Sequence, residues 1–204
     1  MIKNAVFDLG NVMVSFNPRQ YAADLDIPEE TREDLVHAVV WSKEWSDYDR
    51  GLIRNKRELL EKETAAHPEL MREIGRFLEN WEELLTENRE SSALVRKLKA
   101  EGYRVFLLSN LSYDGKNYAM RYPFMREFEG TVFSCDEHKN KPEAGLYRVL
   151  LDRYDLRAEE TVFFDDSPPN VEGANALGIH GILFRNAEEA EKEFRRIAER
   201  SRGA

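Results

Sequence analysis

Residues 3–12 read Lys-Asn-Ala-Val-Phe-Asp-Leu-Gly-Asn-Val, a short apolar run that stops at a carboxylate and a glycine. Ala5, Val6 and Phe7 are apolar in succession rather than alternating, so the run predicts a strand over 3–7 that is covered on both faces. Four later stretches have the same character, at 104–108, 131–133, 161–164 and 181–184. Helical spacing separates the later ones. Leu94, Val95 and Leu98 share a face over 91–99, which stops before Gly102; further helices are expected over 144–154, 171–177 and 187–199. Strands alternating with helices imply an α/β fold, a Rossmann-like doubly wound parallel sheet.

The interval between the first two strands breaks that rhythm. Residues 16–88 contain no convincing strand but several helical patterns, over 29–43, 56–64 and 69–85. The last carries Leu70, Ile74, Phe77, Leu78, Trp81 and Leu85 at a period near 3.6. A crossover needs far fewer residues than this. The expected organisation is therefore a Rossmann-like core over 1–15 and 88–204, with an inserted α-helical cap over 16–87.

Composition narrows the function. The chain has 204 residues, 42% of them hydrophobic and 34% charged, with 11 Phe, 8 Tyr and 3 Trp, ample for a packed core. A net charge of −9 excludes a broad nucleic-acid surface, but not a small anionic substrate held at one locally positive site. Cys135 is the sole cysteine, so a reducing, cytoplasmic setting is expected. The early first strand leaves no room for a signal peptide, and no apolar run has the ~20 residues of a membrane span. His37, His67, His138 and His180 are scattered without metal-ligand spacing. Trp41 and Trp45 are expected to pack the cap, Cys135 to be a small buried hydrophobe and His138 to lie at the surface.

Polar residues collect where the strands end. Strand one runs into Asp8-Leu9-Gly10-Asn11, strand two into Ser109-Asn110, and strand four into Asp165-Asp166; a loop after strand three carries Lys141-Pro142-Glu143. Each cluster by itself reads as a turn or helix cap. In a parallel sheet, however, all four meet outside one edge, where ligands of such sheets bind. Carboxylates brought together from different strands raise one another's pKa unless a cation joins them. Mg²⁺ fits oxygen donors of this kind and leaves room for phosphate oxygens. Lys141 offers a point charge for a phosphate, and Ser109 and Asn110 offer donors.

These segments, in this order, resemble the four signature motifs of the haloacid dehalogenase (HAD) superfamily: Phe7-Asp8-Leu9-Gly10-Asn11-Val12, Leu107-Leu108-Ser109-Asn110, Lys141-Pro142-Glu143, and Phe163-Phe164-Asp165-Asp166 continuing through Asn170 to Gly178. The first motif, together with Asp49-Arg50-Gly51, Ile53 and Trp81, is similar to the bacterial α-D-glucose-1-phosphatase-like group. The resemblance implies a phosphatase acting on a small phosphorylated substrate, with a mobile cap over the site. It implies that Asp8 is the nucleophile and forms an aspartyl-phosphate. Mg²⁺ would be held by Asp8, the Gly10 carbonyl and Asp166. Asp165 would support Lys141 or a metal-bound water, and Ser109, Asn110 and Lys141 would grip the phosphoryl group.

One position departs from the pattern. Most phosphatases of the superfamily carry a second Asp two residues after the nucleophile, where this chain has Gly10. A positioned acid or base contributes ~10²–10⁴-fold. Its absence points to sugar 1-phosphates, whose hemiacetal leaving group needs less protonation, or to other substrates with good leaving groups. The alternatives are a metal-independent 2-haloacid dehalogenase, which Asp165-Asp166 argues against, and a weakly catalytic HAD-like binding protein, which the retained Asp8, Lys141 and Asp166 argue against. A phosphomutase would usually keep the second Asp.

Overall fold

Side chains along a strand point alternately to opposite faces, so a uniformly apolar strand feeds two cores at once. The computed structural model describes residues 1–202, and residues 203–204, the end of the expected core, lie outside the described residues. Strands β1 (Asn4–Phe7) and β2 (Val14–Ser15) lead into helices α1 (Pro18–Asp24), α2 (Glu29–Val39), α3 (Lys43–Asp49), α4 (Lys56–Ala66) and α5 (Met71–Glu79). Then come β3 (Thr86–Glu87), α6 (Arg89–Ala100), β4 (Arg104–Ser109), α7 (Tyr113–Ala119), β5 (Gly130–Phe133) and α8 (Ser134–Glu137). The chain continues through α9 (Ala144–Arg153), β6 (Thr161–Asp165), α10 (Pro168–Asn175), β7 (His180–Leu183) and α11 (Ala187–Arg200).

The main sheet has the order β5-β4-β1-β6-β7, and every neighbouring pair is parallel. Ala5, Phe7, Val105, Leu107, Val162 and Phe164 face one core with Leu94 and Leu98 of α6 and Phe194 of α11. Val6, Phe106, Leu108 and Phe163 face the other, with Leu146 and Leu150 of α9 and Ala174 of α10. The sheet is thus doubly wound, as its apolar strands require. The chain leaves β1 toward β4 and β5, then returns to β6 on the other side of β1. That reversal opens the crevice at the strand ends. No helix among the described residues is long and apolar enough to cross a membrane.

The helical stretch differs from the sequence expectation in three ways. The helix expected over 29–43 ends at Val39, and α3 begins anew at Lys43, because the Ser42 side chain caps α3 by accepting from the Trp45 N–H at 2.8 Å. The helix expected over 69–85 is broken at Asn80, leaving α5 flanked by 3₁₀ turns at Pro68–Leu70 and Trp81–Leu84. Finally, the interval does contain a strand. β3 pairs antiparallel with β2, Val14 opposite Glu87 and Ser15 opposite Thr86, so the two ends of the stretch lie side by side. Its apolar face shares one continuous core with a face of the sheet, through Leu35, Leu59, Ile74 and Phe77. Trp45 packs there edge-on to Trp81 at 5.0 Å, as expected, whereas Trp41 lies in the turn before α3 and is 70% exposed. Cys135 is buried and His138 exposed.

Candidate active site

The crevice is built from the ends of three strands and one loop. Asp8 follows β1, Ser109 ends β4, Asp165 ends β6, and Lys141 sits in the loop between α8 and α9. Lys141 is 4% exposed, and its Nζ lies 2.7 Å from Asp8 Oδ1 and 2.6 Å from Asp165 Oδ2. It also donates to the Leu108 carbonyl at 3.1 Å and stands 5.2 Å from the centre of the Phe163 ring. One buried ammonium thus joins two buried carboxylates. Removing a charged pair from water is costly, so such a chain persists only when each member is compensated.

Asp165 is fully occupied within the protein. Its Oδ1 accepts from the Ser167 N–H at 2.8 Å and from the Asn170 amide at 3.0 Å, while Oδ2 takes Lys141. It holds Lys141 through an ion pair. Asp8 is different. Its contacts with the Leu9 N–H at 2.6 Å and with Lys141 both fall on Oδ1. Asp166 stands nearer solvent, and its Oδ2 accepts from the Asn11 amide at 2.9 Å. One carboxylate oxygen each from Asp8, Asp165 and Asp166 lies within 4.8 Å of the others, a group able to hold a cation. Since Asp165 is already saturated, Asp8 and Asp166 are the pair with oxygens to offer. All-oxygen donors fit a hard divalent ion.

Electrostatics mark the same atoms. Burial pushes the Asp8 carboxyl up to about 8; Lys141 opposes this, and the charges of Asp165 and Asp166 add to it. Burial also raises Asp166, with Asn11 working against it. For Lys141, burial disfavours the ammonium, but Asp8 and Asp165 outweigh it and hold the group above its usual pKa. The site therefore contains a fixed cation beside a carboxyl that lacks enough positive charge, a deficit a metal ion would relieve.

The expected residues meet here, and for two of them the structure adds detail. The Asn110 amide pairs with the Lys141 peptide in both directions: its Nδ2 donates to the Lys141 carbonyl at 3.0 Å, and its Oδ1 accepts the Lys141 N–H at 2.7 Å. Asn110 thus positions Lys141. Gly10 adopts no left-handed conformation, and a Cβ there would meet no heavy atom within 4 Å. Its lack of a side chain is not forced by crowding. Sequence reasoning missed the roles of Asn11 and Asn170. Asn11 takes φ 53°, a left-handed turn that Asn tolerates, and so reaches Asp166 while accepting the Phe16 N–H at 2.9 Å.

The helical stretch closes the crevice. A cavity of about 90 Å³ at the end of β1 is walled by Leu9, Gly10, Ser109, Asn110 and Leu111 from the sheet edge and by Phe16, Trp45, Asp49, Trp81 and Leu85 from the stretch. Burial pushes the Asp49 carboxyl up to about 7, against the Ser112 N–H and Lys141.

Known proteins are similar to this chain. The chain is 26% identical over 203 residues to the sesquiterpene phosphatase astK of Aspergillus oryzae, covering 96% of each. It is 24% identical to the drimenol cyclase drtB of Aspergillus calidoustus, over 97% of this chain but 37% of that protein. A HAD family enzyme from Bacteroides thetaiotaomicron, solved with magnesium and inorganic phosphate, superposes with a TM-score of 0.73 at 22% identity, over 91% of this chain and 95% of that one. That last likeness is one of fold. The pattern of the haloacid dehalogenase-like hydrolases matches residues 2–178. With that pattern spanning most of its length, the chain belongs to the haloacid dehalogenase-like hydrolases.

Proposed function

We propose that the protein is a magnesium-dependent phosphatase that hydrolyses a small phosphate monoester through an aspartyl-phosphate on Asp8. The observation that carries this reading is the buried Asp8–Lys141–Asp165 chain with Asp166 beside it. Phosphoryl transfer depends on positioning and on neutralising oxygen charge, and these residues supply both. Asp8, Asp166 and the Gly10 carbonyl would hold Mg²⁺, which neutralises phosphate charge when bound. Lys141 binds a phosphoryl oxygen beside Asp8 and orients the nucleophile. Asp165 and Asn110 keep Lys141 in place, and Ser109 donates from the β4 end. Residues 16–87 act as a cap on a core formed by 1–15 and 88–204. The relatives named a phosphatase and an enzyme with bound magnesium and phosphate agree with this chemistry.

For the organic group, two substrate classes have support. Gly10 and the likeness to glucose-1-phosphatase-like proteins favour a sugar 1-phosphate. The aromatic walls from Phe16, Trp45 and Trp81, with the astK likeness, favour an isoprenoid phosphate. Phosphate release from glucose 1-phosphate, glucose 6-phosphate and farnesyl phosphate, with Mg²⁺ and with EDTA, tests both. Activity on at least one ester that disappears in EDTA is the expected result. Metal-independent chloride release from a 2-haloacid, with no phosphatase activity, would replace this reading with a dehalogenase. Faster turnover of glucose 6-phosphate than of glucose 1-phosphate would remove the sugar 1-phosphate preference.

A further inference from the structure

We propose that Asp49, the last residue of α3, is the general acid and base of the reaction, so that the proton relay comes from the helical stretch rather than from the position of Gly10. This rests on the phosphatase reading above. Two positional facts lead to it. The space over Gly10 is open, with no heavy atom within 4 Å of a Cβ built there. Asp49 lines the same cavity, and it is the only titratable side chain in that lining. It also borders a neighbouring cavity together with Asn110 and Lys141, which places it near the phosphoryl end of the site.

The carboxyl is free for this work. Its neighbours are paired: Arg50 with Glu143, Lys141 with Asp8 and Asp165, and Tyr48 with Asp114 at 2.6 Å. Asp49 makes no ion pair among the described residues. Burial raises the group to about 7 against the Ser112 N–H and Lys141, a value at which one carboxyl both gives and accepts a proton near neutrality.

The backbone around Asp49 is fastened to the sheet edge. The Ser134 hydroxyl donates to the Asp49 carbonyl at 2.5 Å, and the Asn140 amide donates to the Ser46 carbonyl at 3.1 Å. His138 Nδ1 lies 2.8 Å from the Arg50 carbonyl. Gly51 takes φ +70°, and a Cβ there would stand 2.5 Å from the Cys135 carbonyl, so only glycine permits this approach. The motif Asp49-Arg50-Gly51 thus divides into an acid, a clasp to Glu143 and a close-packing hinge point. Such fastening is what preorganised proton transfer needs.

In the first half-reaction, an Asp8 oxygen forms the bond to phosphorus while the bond to the ester oxygen breaks. The leaving oxygen keeps that electron pair and takes the proton of Asp49. In the second, a water oxygen attacks phosphorus, its proton passes to the Asp49 carboxylate, and Asp8 is released with its electron pair. Phosphate and alcohol are the only products, and Asp49 ends protonated as it began.

The test uses Asp49→Asn in the full chain with Mg²⁺, on p-nitrophenyl phosphate and on an alkyl phosphate monoester that the wild type hydrolyses. Nitrophenolate needs no protonation to leave, so its release should appear as a burst of about one equivalent per enzyme, followed by turnover slowed ~10²–10⁴-fold. Alcohol release from the alkyl ester should slow by a similar factor with no burst. The burst also reports a folded site. Alkyl-ester turnover within about threefold of wild type would overturn the proposal, as would loss of the nitrophenolate burst. A wild type inactive on both esters would instead refute the phosphatase reading, and this proposal with it.

Discussion

At the sheet edge, buried carboxylates are answered by a cation; in the helical stretch they are not. Asp8 and Asp165 are almost wholly buried, and Lys141 stands within 2.7 Å of both. Glu63, on α4, is equally buried, yet its Oε1 has only the Ser42 hydroxyl at 2.5 Å and its Oε2 has no partner. Burial pushes Glu63 up to about 7, with Ser42 opposing the shift. The two regions therefore solve one problem in opposite ways. The strand ends set their carboxyls against a buried ammonium, whereas α4 holds a carboxyl with only a hydroxyl beside it.

The largest effect expected from breaking this contrast is at Asp8. Asp8→Asn keeps the shape and removes the proposed nucleophile, so phosphate release should fall by at least ~10⁴-fold while the thermal midpoint stays the same or rises. An activity loss below tenfold would show that another group attacks phosphorus. Next is Lys141→Met, which leaves two buried carboxylates without a cation. The expected cost is ~3–5 kcal/mol together with loss of activity, measured by denaturant unfolding and phosphate release. An unchanged unfolding midpoint would mean that the buried chain of charges is not what stabilises the edge.

Gly51→Ala sharpens the comparison at the seam between the regions. Its methyl would collide with the Cys135 backbone at a φ that L-residues rarely adopt. A loss of ~1–3 kcal/mol is expected, with lower kcat as Asp49 shifts away. Wild-type kcat in this variant would show that the α3 end needs no fixed seat. The smallest effect is at Glu63. Its folded pKa lies above the usual 4.5, so the folded state binds the proton more tightly than the unfolded one. That stabilisation is full below pH 4.5 and is lost as pH rises through about 7. Glu63→Gln remains neutral, so it should gain ~1 kcal/mol over wild type at pH 8, a few degrees of midpoint, and nothing at pH 4. An equal gain at both pH values would place the effect in packing rather than in charge.

Much of the core was legible in the sequence. The five strands lie within a residue or two of their expected limits, because a short apolar run bounded by Asp, Ser or Gly has few other stable fates. Asp8, Ser109, Lys141 and Asp165 met as expected for a related reason: parallel strands must deliver their C-terminal residues to one edge. The helical stretch was less legible. Apolar periodicity runs straight through Ser42 and Asn80, and only the backbone shows that the helices stop there. β2 and β3 are two residues each, too short for any pattern, and they exist because they pair across some 70 residues of chain.

What the sequence by itself determined about this protein is the order of its elements, the edge where they converge and the residue types found there, since these follow from local periodicity and strand direction. Only the tertiary structure decided the division of labour among those residues. Asn110 spends its amide on the Lys141 peptide, Asn11 reaches Asp166, and Asp49 borders the open space over Gly10. Each of these depends on distances between atoms far apart in the chain. Periodicity carries no record of such distances, because they are set by how the packed layers come together.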